Sequence, residues 1–409
     1  MSTSLRLLYL YRVASRFYFH LPVLFVFLWL TGFSLLEIEG LLALYGITIT
    51  ITSGAGSLLG RRLPVKSIIA AGELAKGGGL LLLVNADSLM FASAAQVVGG
   101  LGYSLAAGTD NRLFSRLVDD PDEQARIQSN TQSWMFIAVL VSGVVGAVMF
   151  AADRESVFYA SAVAAGVACA AVAAIRTPAG AGAPLASDAG PGARAKRSAA
   201  RRPTATAEQR WWSHYYVTVR ATTLAGFVGF LPYLFFEVLR VDLAYFGAVL
   251  SIFSLAAFVA ARYALAFARR IGLNRLTVAT VVLSVAAFAL FGAVENLGVA
   301  LLATALLGLS SGGVRPLAMR GLSRDTSAEE RARLVTGMER TYGLANATIL
   351  VAGGLLLAQT DFQTLMLALA AAYAGAAMVL LRRPPETAER PNQASTAATP
   401  PPSASSRLG

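Results

Sequence analysis

The sequence predicts an all-α integral membrane protein of about twelve transmembrane helices, arranged as two pseudo-repeated six-helix halves. Three observations carry that prediction. The first is composition: of 409 residues, 56% are hydrophobic and only 14% charged, with a mean hydropathy of +0.60. Soluble domains carry about 25% charged residues, so too little polar surface remains here to face water on every side. The second is that apolar runs recur at the length a bilayer demands, about 20 residues each. The third is loop charge, which alternates between basic and acidic from one connection to the next.

The amino end, MSTSLRLLYLYRVASRF, is basic and aromatic and is followed by a long apolar run without a small-residue cleavage site. It is expected to lead into a retained first span, not to be a signal peptide. Apolar runs follow at about 18–36, 40–59, 65–84, 88–110, 131–151, 155–175, 213–236, 243–267, 273–294, 297–318, 333–358 and 361–381. One set of connections carries Arg61, Arg62 and Lys66; Arg112, Arg116 and Arg126; the arginines of 176–210; Arg269, Arg270 and Arg275; Arg320, Arg324, Arg331 and Arg333; and Arg382 and Arg383. The other set reads LEIEG, NADS, ADRES, LRVDL, VENLG and QTDFQ, short and acidic. The positive-inside rule makes the first set cytoplasmic, and an even number of spans places both termini there.

Four segments follow: an N-terminal six-helix bundle at 1–176, a flexible cytoplasmic linker at 177–208, a C-terminal bundle at 209–383 and a disordered cytoplasmic tail at 384–409. The linker is rich in Pro, Gly, Ala and Arg and cannot bury a core. The halves also repeat. DEQARI at 122–127 matches EERARL at 329–334, pairing Glu123 with Glu330, Ala125 with Ala332 and Arg126 with Arg333, and the same shift sets Gly146 on Gly353. Parallel six-helix repeats are one transporter design, with substrate held near the midplane.

The basic residues lie in small groups between apolar runs, so the net charge of +11 reflects topology and no nucleic-acid partner is expected. Cys169 has no partner for an intrachain disulfide. His20 and His214 open the first span of each half, far apart and without other ligands at metal spacing, so no metal site is expected. They are read as interfacial anchors, with pH sensing as the alternative. No nucleotide-binding loop, catalytic carboxylate pair or Ser/His/Asp set is present, so the chain is not expected to be an enzyme or to hold a cofactor.

Three segments resemble the major facilitator superfamily, over about residues 5–383. AGTDNRLFSRLVDDPDEQARIQSNTQSW at 107–134 is similar to the family's passage from span four to span five. SGAGSLLGRR at 53–62 is similar to its loop between spans two and three, and AQVVGGLG at 95–102 to its fourth-span motif. The chain departs from the family where an Asp-Arg pair is missing before Gly60, Arg61 and Arg62, and where Gln96 replaces an Arg linked in the family to proton coupling. Ser142, Gly143 and Gly146 echo the fifth-span antiporter pattern without its proline. The resemblance implies a secondary transporter working by alternating access around spans 1, 4, 7 and 10.

Ionisable groups inside spans are costly and are functional candidates by default. Glu73 and Lys76, three residues apart on span three, share a helix face. They read either as transport residues or as a self-compensated pair on a peripheral helix. Arg220 lies deep in span seven, where it suits either an anionic substrate group or an ion pair with Glu339 on span eleven. For Asp110 the resemblance implies a latch with Arg61 or Arg62. Gly60, Arg112, Arg126, Arg315 and Arg333 join it as cytoplasmic gate candidates, and Arg340 is a gate or headgroup contact. Glu37 and Glu39, at the outer end of span one, and Glu237, at that of span seven, are solvated carboxylates or a proton site at the outer mouth. Trp29, Phe227 and Tyr233 offer an aromatic wall, facing either a ligand or lipid.

The first functional expectation is export of a drug-like or natural-product molecule. Transport of an anionic metabolite through Arg220 is the second, and a sensor, scaffold or lipid flippase on the same fold is the third. The expected setting is a monomer in a bacterial plasma membrane, with protons or another ion as coupling partner.

Overall fold

The computed structural model describes residues 3–60, 62–115, 117–118, 121–176, 206–322 and 328–381. Within them the chain forms twelve spans. Span 1 comprises Thr3–Ala14 and the segments Leu21–Val23 and Leu24–Leu30. Spans 2 to 6 are Leu35–Thr52, Val65–Val84, Leu89–Ser115, Pro121–Ala152 and Ser156–Ala174, with a short helix Ala55–Leu59 after span 2. Span 7 is Ala207–Val238. Spans 8 to 12 are Leu243–Ile271, Leu273–Ala293, Leu297–Leu322, Ala328–Leu357 and Phe362–Leu381. Among the described residues there is no strand. The ends carrying the basic connections are here termed the basic face, and the opposite ends the acidic face.

Local chemistry sets several starts. Ser34 and Glu37 form a capping box at span 2, and Thr206 and Gln209 another at span 7, each satisfying free N–H groups of a first turn. Asp361 accepts from the Thr364 N–H at 2.6 Å ahead of span 12, which holds its carboxyl below the usual range. Thr206 to Glu208, expected in the linker, therefore open span 7; residues 177–205 and 382–409 lie outside the described residues. Large apolar side chains such as Leu74, Val148, Val163, Val282 and Met378 point outward, as a lipid-facing perimeter requires.

The largest departure from expectation is span 1. Its first half is Thr3–Ala14, the stretch expected as a lead-in, and residues 15–20 form a break inside the bundle. Irregular backbone at membrane depth survives only where protein or a cavity satisfies it, and here three spans do so. Lys76 donates to the Ser15 carbonyl at 3.4 Å, the Ser161 hydroxyl accepts from the His20 N–H at 3.3 Å, and Gly146 of span 5 lies against the Phe19 carbonyl. Gly146→Val would drive its side chain into that carbonyl. Overpacking of this kind costs about 1–3 kcal/mol, and the expected result is a clearly lowered melting temperature of the purified protein, with Gly166→Val, where no neighbour stands, as the control.

Packing is not the same at the two faces. On the acidic side one apolar core joins both halves, with Phe25, Leu41 and Phe150 meeting Phe230, Phe246 and Leu350. Toward the basic face there are two cores, each within one half: Leu8, Tyr11 and Leu113 in one, Trp212, Leu317 and Tyr373 in the other. The molecule is therefore closed at its acidic face. Spans 5 and 8 meet there through Gly247 against the Gly143 carbonyl, and spans 2 and 11 meet along Gly46 and Gly343.

Candidate functional site

Span 1 and span 7 begin with the same pattern. Tyr11-x-Val13-x-x-Arg16 is repeated as Tyr215-x-Val217-x-x-Arg220, and each arginine stands thirteen residues after the first helical residue of its half. Leu21-Pro22-x-Leu24-Phe25 then returns as Leu231-Pro232-x-Leu234-Phe235. Span 7 has more residues between the two motifs and absorbs them in a widened π-turn, Gly226–Phe230, where span 1 unwinds. The two arginines are thus equivalent residues of the two halves.

Arg16 donates to the Tyr18 hydroxyl at 3.0 Å and to the Tyr103 hydroxyl of span 4 at 3.5 Å. The Arg220 guanidinium lies over the rings of Tyr216, 5.2 Å away, and Tyr342 of span 11, 4.9 Å away. Tyr216 in turn donates to Glu339 at 2.6 Å. Tyr103 is within electrostatic reach of Arg16, Arg220 and Glu339, so it links the two halves of the site. Arg16, Tyr18, Tyr103, Arg220, Glu339 and Tyr342 are all half-buried although they lie deep within the bundle, which makes them the lining of a cavity. With the acidic side sealed, that cavity opens toward the basic face.

The expected ion pair of Arg220 with Glu339 is replaced by a relay through Tyr216. Neither Arg16 nor Arg220 pairs with a carboxylate among the described residues. Two guanidinium groups are thus held deep in the molecule against neutral phenols, at a cost of at least about 2.5–3.5 kcal/mol each on insertion scales.

Beside this site, Glu73 and Lys76 form an ion pair at 2.7 Å. Ser15 joins it, donating to Glu73 at 2.9 Å and accepting from Lys76 at 2.9 Å. Both are buried, not peripheral, and they clamp the break in span 1 to span 3. His20 is not interfacial either: it is buried in the break with Nδ1 2.9 Å from the Ser161 hydroxyl, while His214 is exposed. Gln96 is buried on span 4, and its Nε2 has no hydrogen-bond partner.

The expected latch of Asp110 with Arg62 is not formed, and its alternative, Arg61, lies outside the described residues. Asp110 pairs with Arg12 of span 1 at 2.9 Å, within one half, and Arg12 also donates to Thr131 at 3.2 Å and lies over the Phe114 ring. Arg12 outcompetes because it is buried beside Asp110, whereas Arg62 is exposed to solvent. Gly60 ends the short helix after span 2 and is buried; Arg112 is half-buried in the last turn of span 4; Arg315 is exposed. Arg61 and the side chains of Arg126 and Arg333 lie outside the described residues. A contact between halves near the basic face comes instead from Arg340, which donates to the Ser53 hydroxyl at 2.7 Å.

Glu37 and Glu39 belong to the first turns of span 2, not the end of span 1. Glu37 is committed to the capping box, while Glu39 is fully buried between the halves. Glu237 is paired with Arg240 at 3.3 Å. The aromatic residues close the acidic mouth: Trp29 meets Tyr233 edge to face at 6.0 Å, and Tyr233 stacks on Phe362 at 6.3 Å. Phe227 stacks on Phe253 of span 8 at 4.0 Å.

Comparison with known proteins places this architecture. The profile of the Major Facilitator Superfamily matches twice, over residues 13–294 and 217–407. The chain belongs to that superfamily and is a multi-pass membrane transporter rather than an enzyme. Its fold is similar to that of the nucleoside transporter NupG, with a TM-score of 0.71 at 13% identity over 93% of this chain and 98% of that one. It is also similar to a POT family transporter in complex with a thioalcohol conjugated peptide, with a TM-score of 0.75 at 13% identity, covering 92% and 95% of the two chains. A peptide transporter POT in complex with sulfate gives a TM-score of 0.74 at 13% identity, covering 93% and 94%. No curated protein sequence matches the chain.

Sequence reasoning found Arg220 and Glu339 but passed over Arg16, Tyr103, Tyr216 and Tyr342. The repeat of Tyr-x-Val-x-x-Arg ahead of Leu-Pro was the available signal for Arg16. Nothing in the linear pattern marked the tyrosines, which come from spans 4, 7 and 11.

Proposed function

We propose that this transporter moves a small organic anion with an aromatic or apolar body by alternating access. One observation carries the reading: Arg16 and Arg220, one from each half, face a shared cavity and have no carboxylate partner among the described residues. Two cations at such a site repel, and a bound anion turns that repulsion into attraction from both sides. Binding then favours drawing the halves together at the basic face, which is the motion that alternating access requires. Tyr18, Tyr103, Tyr216 and Tyr342 add hydroxyls for orientation and faces for stacking an apolar body.

By loop charge the basic face is cytoplasmic, the termini lie there, and the setting is a bacterial plasma membrane. The two six-helix bundles are the moving units, joined by the cytoplasmic linker. Export of a drug-like or natural-product molecule, the first expectation, leaves both arginines without a task where that molecule carries no anionic group. The test is thermal unfolding of the purified full chain in detergent against aromatic carboxylates and phosphate monoesters, paired with their uncharged amide and alcohol counterparts. Anions alone are expected to raise the melting temperature, since ligand at 100 times its dissociation constant adds about 2.7 kcal/mol. Stabilisation by the uncharged partners and not by the anions would overturn the reading.

A further inference from the structure

Span 2 carries a carboxyl group with nothing to bind. Glu39 is 0% exposed, and among the described residues neither of its oxygens has a hydrogen-bond partner. It sits where the halves meet on the acidic side. A Cβ added at Gly229, in the π-turn of span 7, would stand 2.7 Å from Oε2, and one at Gly354 of span 11 would stand 2.9 Å from its Cγ. Two glycines of the opposite half thus form a notch that holds this side chain.

No charge balances it. Among the described residues no ion pair reaches the carboxyl. From Gly343 to Leu357, span 11 holds no titratable residue. Span 7 offers Tyr233, turned to Trp29 and Phe362, and Glu237, paired with Arg240 at the exposed end. On span 2 itself Glu37 is spent on its capping box. An ionised carboxylate without a partner is not tolerated in such a place, whereas a neutral acid is.

We propose that Glu39 is the proton-binding site of the acidic-face gate, so that the gate closes with Glu39 protonated and opens when the carboxylate forms. This rests on the alternating-access reading but not on the identity of the substrate. The closed notch excludes water and the charged form; parting spans 2, 7 and 11 hydrates Glu39 and releases the proton to the acidic side. Closing takes one proton up from that same side, so no proton crosses the membrane in this step, and the pH of the acidic-side compartment sets how readily the gate opens. The link between the two sites is direct, because span 7 carries both Arg220 and the Gly229 notch.

The test reads the gate without substrate. Spin labels at Arg154→Cys and Gln359→Cys, exposed acidic-face positions in opposite halves, are placed in a Cys169→Ser background, and their separation is measured by pulsed electron resonance in acid and alkaline buffer. The unaltered gate is expected to show the short distance in acid and a second, longer one in alkali. Glu39→Gln is expected to lose this response and hold the short distance in both, and Glu39→Asp to keep it. Should the glutamine variant fail to fold, Glu39→Ala provides the same readout. A distance that ignores pH with Glu39 intact, or a pH response that survives Glu39→Gln or Glu39→Ala, overturns the proposal. The substrate panel has its own outcome, so an error about the anion leaves this result untouched.

Discussion

Arg220→Ala and Arg16→Ala are each expected to weaken binding of the organic anion by about 2–5 kcal/mol, the cost of truncating one partner of a buried, hydrogen-bonded charge pair. At 1.4 kcal/mol per decade that is roughly thirty- to several-thousand-fold in affinity. The geometry also predicts how the two variants differ. Arg220 is held by two aromatic faces, so its loss leaves Tyr216 still bonded to Glu339 and the protein folded. Arg16 bonds Tyr18 and Tyr103, so its loss also frees the spacing between spans 1 and 4. Lysine at either position keeps the charge but not the planar fork that spans two phenols, and is expected to restore only part of the affinity. Calorimetric titration of the variants with the stabilising anion checks this. Unchanged affinity in both alanine variants would remove the arginines from the binding site.

Glu73→Leu is expected to be among the most destabilising single changes in the molecule. It leaves the Lys76 ammonium in a buried site with no carboxylate, held by Ser15 and the face of the Tyr18 ring. Removing one partner of a buried ion pair costs about 3–5 kcal/mol, while replacing both by apolar groups of similar volume is often neutral. The double variant Glu73→Leu with Lys76→Met is therefore expected to recover most of the lost stability. A deficit on the order of 1 kcal/mol should remain, since the Ser15 carbonyl at the break then loses its donor. Thermal unfolding of Glu73→Leu, Lys76→Met and the double variant beside the unaltered protein forms a double-mutant cycle. Additive losses, with no recovery in the double variant, would mean that the pair does not act as a unit.

These predictions rest on features of unequal visibility in the sequence. Of the twelve spans, only nine described helices are long and apolar enough to be identified by hydropathy alone. Span 1 fails because its break divides it, span 5 because its first turns read DEQARIQSNTQ, and span 11 because it carries EERAR and later Glu339 and Arg340. The apolar runs at 18–36, 131–151 and 333–358 still marked all three in the sequence, and alternating loop charge agreed with that count, since orientation constrains every loop at once. The start of span 1 was misplaced, because the basic and aromatic amino end reads as a lead-in when taken in line. In space Arg12 pairs with Asp110 of span 4 and Arg16 lines the cavity with Tyr103.

The sequence by itself determined the solvent, the number of spans, their alternation and the division into repeated halves. Each of these follows from residue type against lipid or water, which is a property of a segment and not of its neighbours. What only the tertiary structure decided is which polar side chains meet. It showed that two equivalent arginines share a cavity with tyrosines from separate spans, that Lys76 serves a broken helix, and that of two glutamates two residues apart one caps a helix while the other is buried between halves. The reason is that partnership and desolvation depend on distance in three dimensions. Glu37 and Glu39 have the same chemistry in the sequence, and only the glycines of spans 7 and 11 make Glu39 a group without a partner.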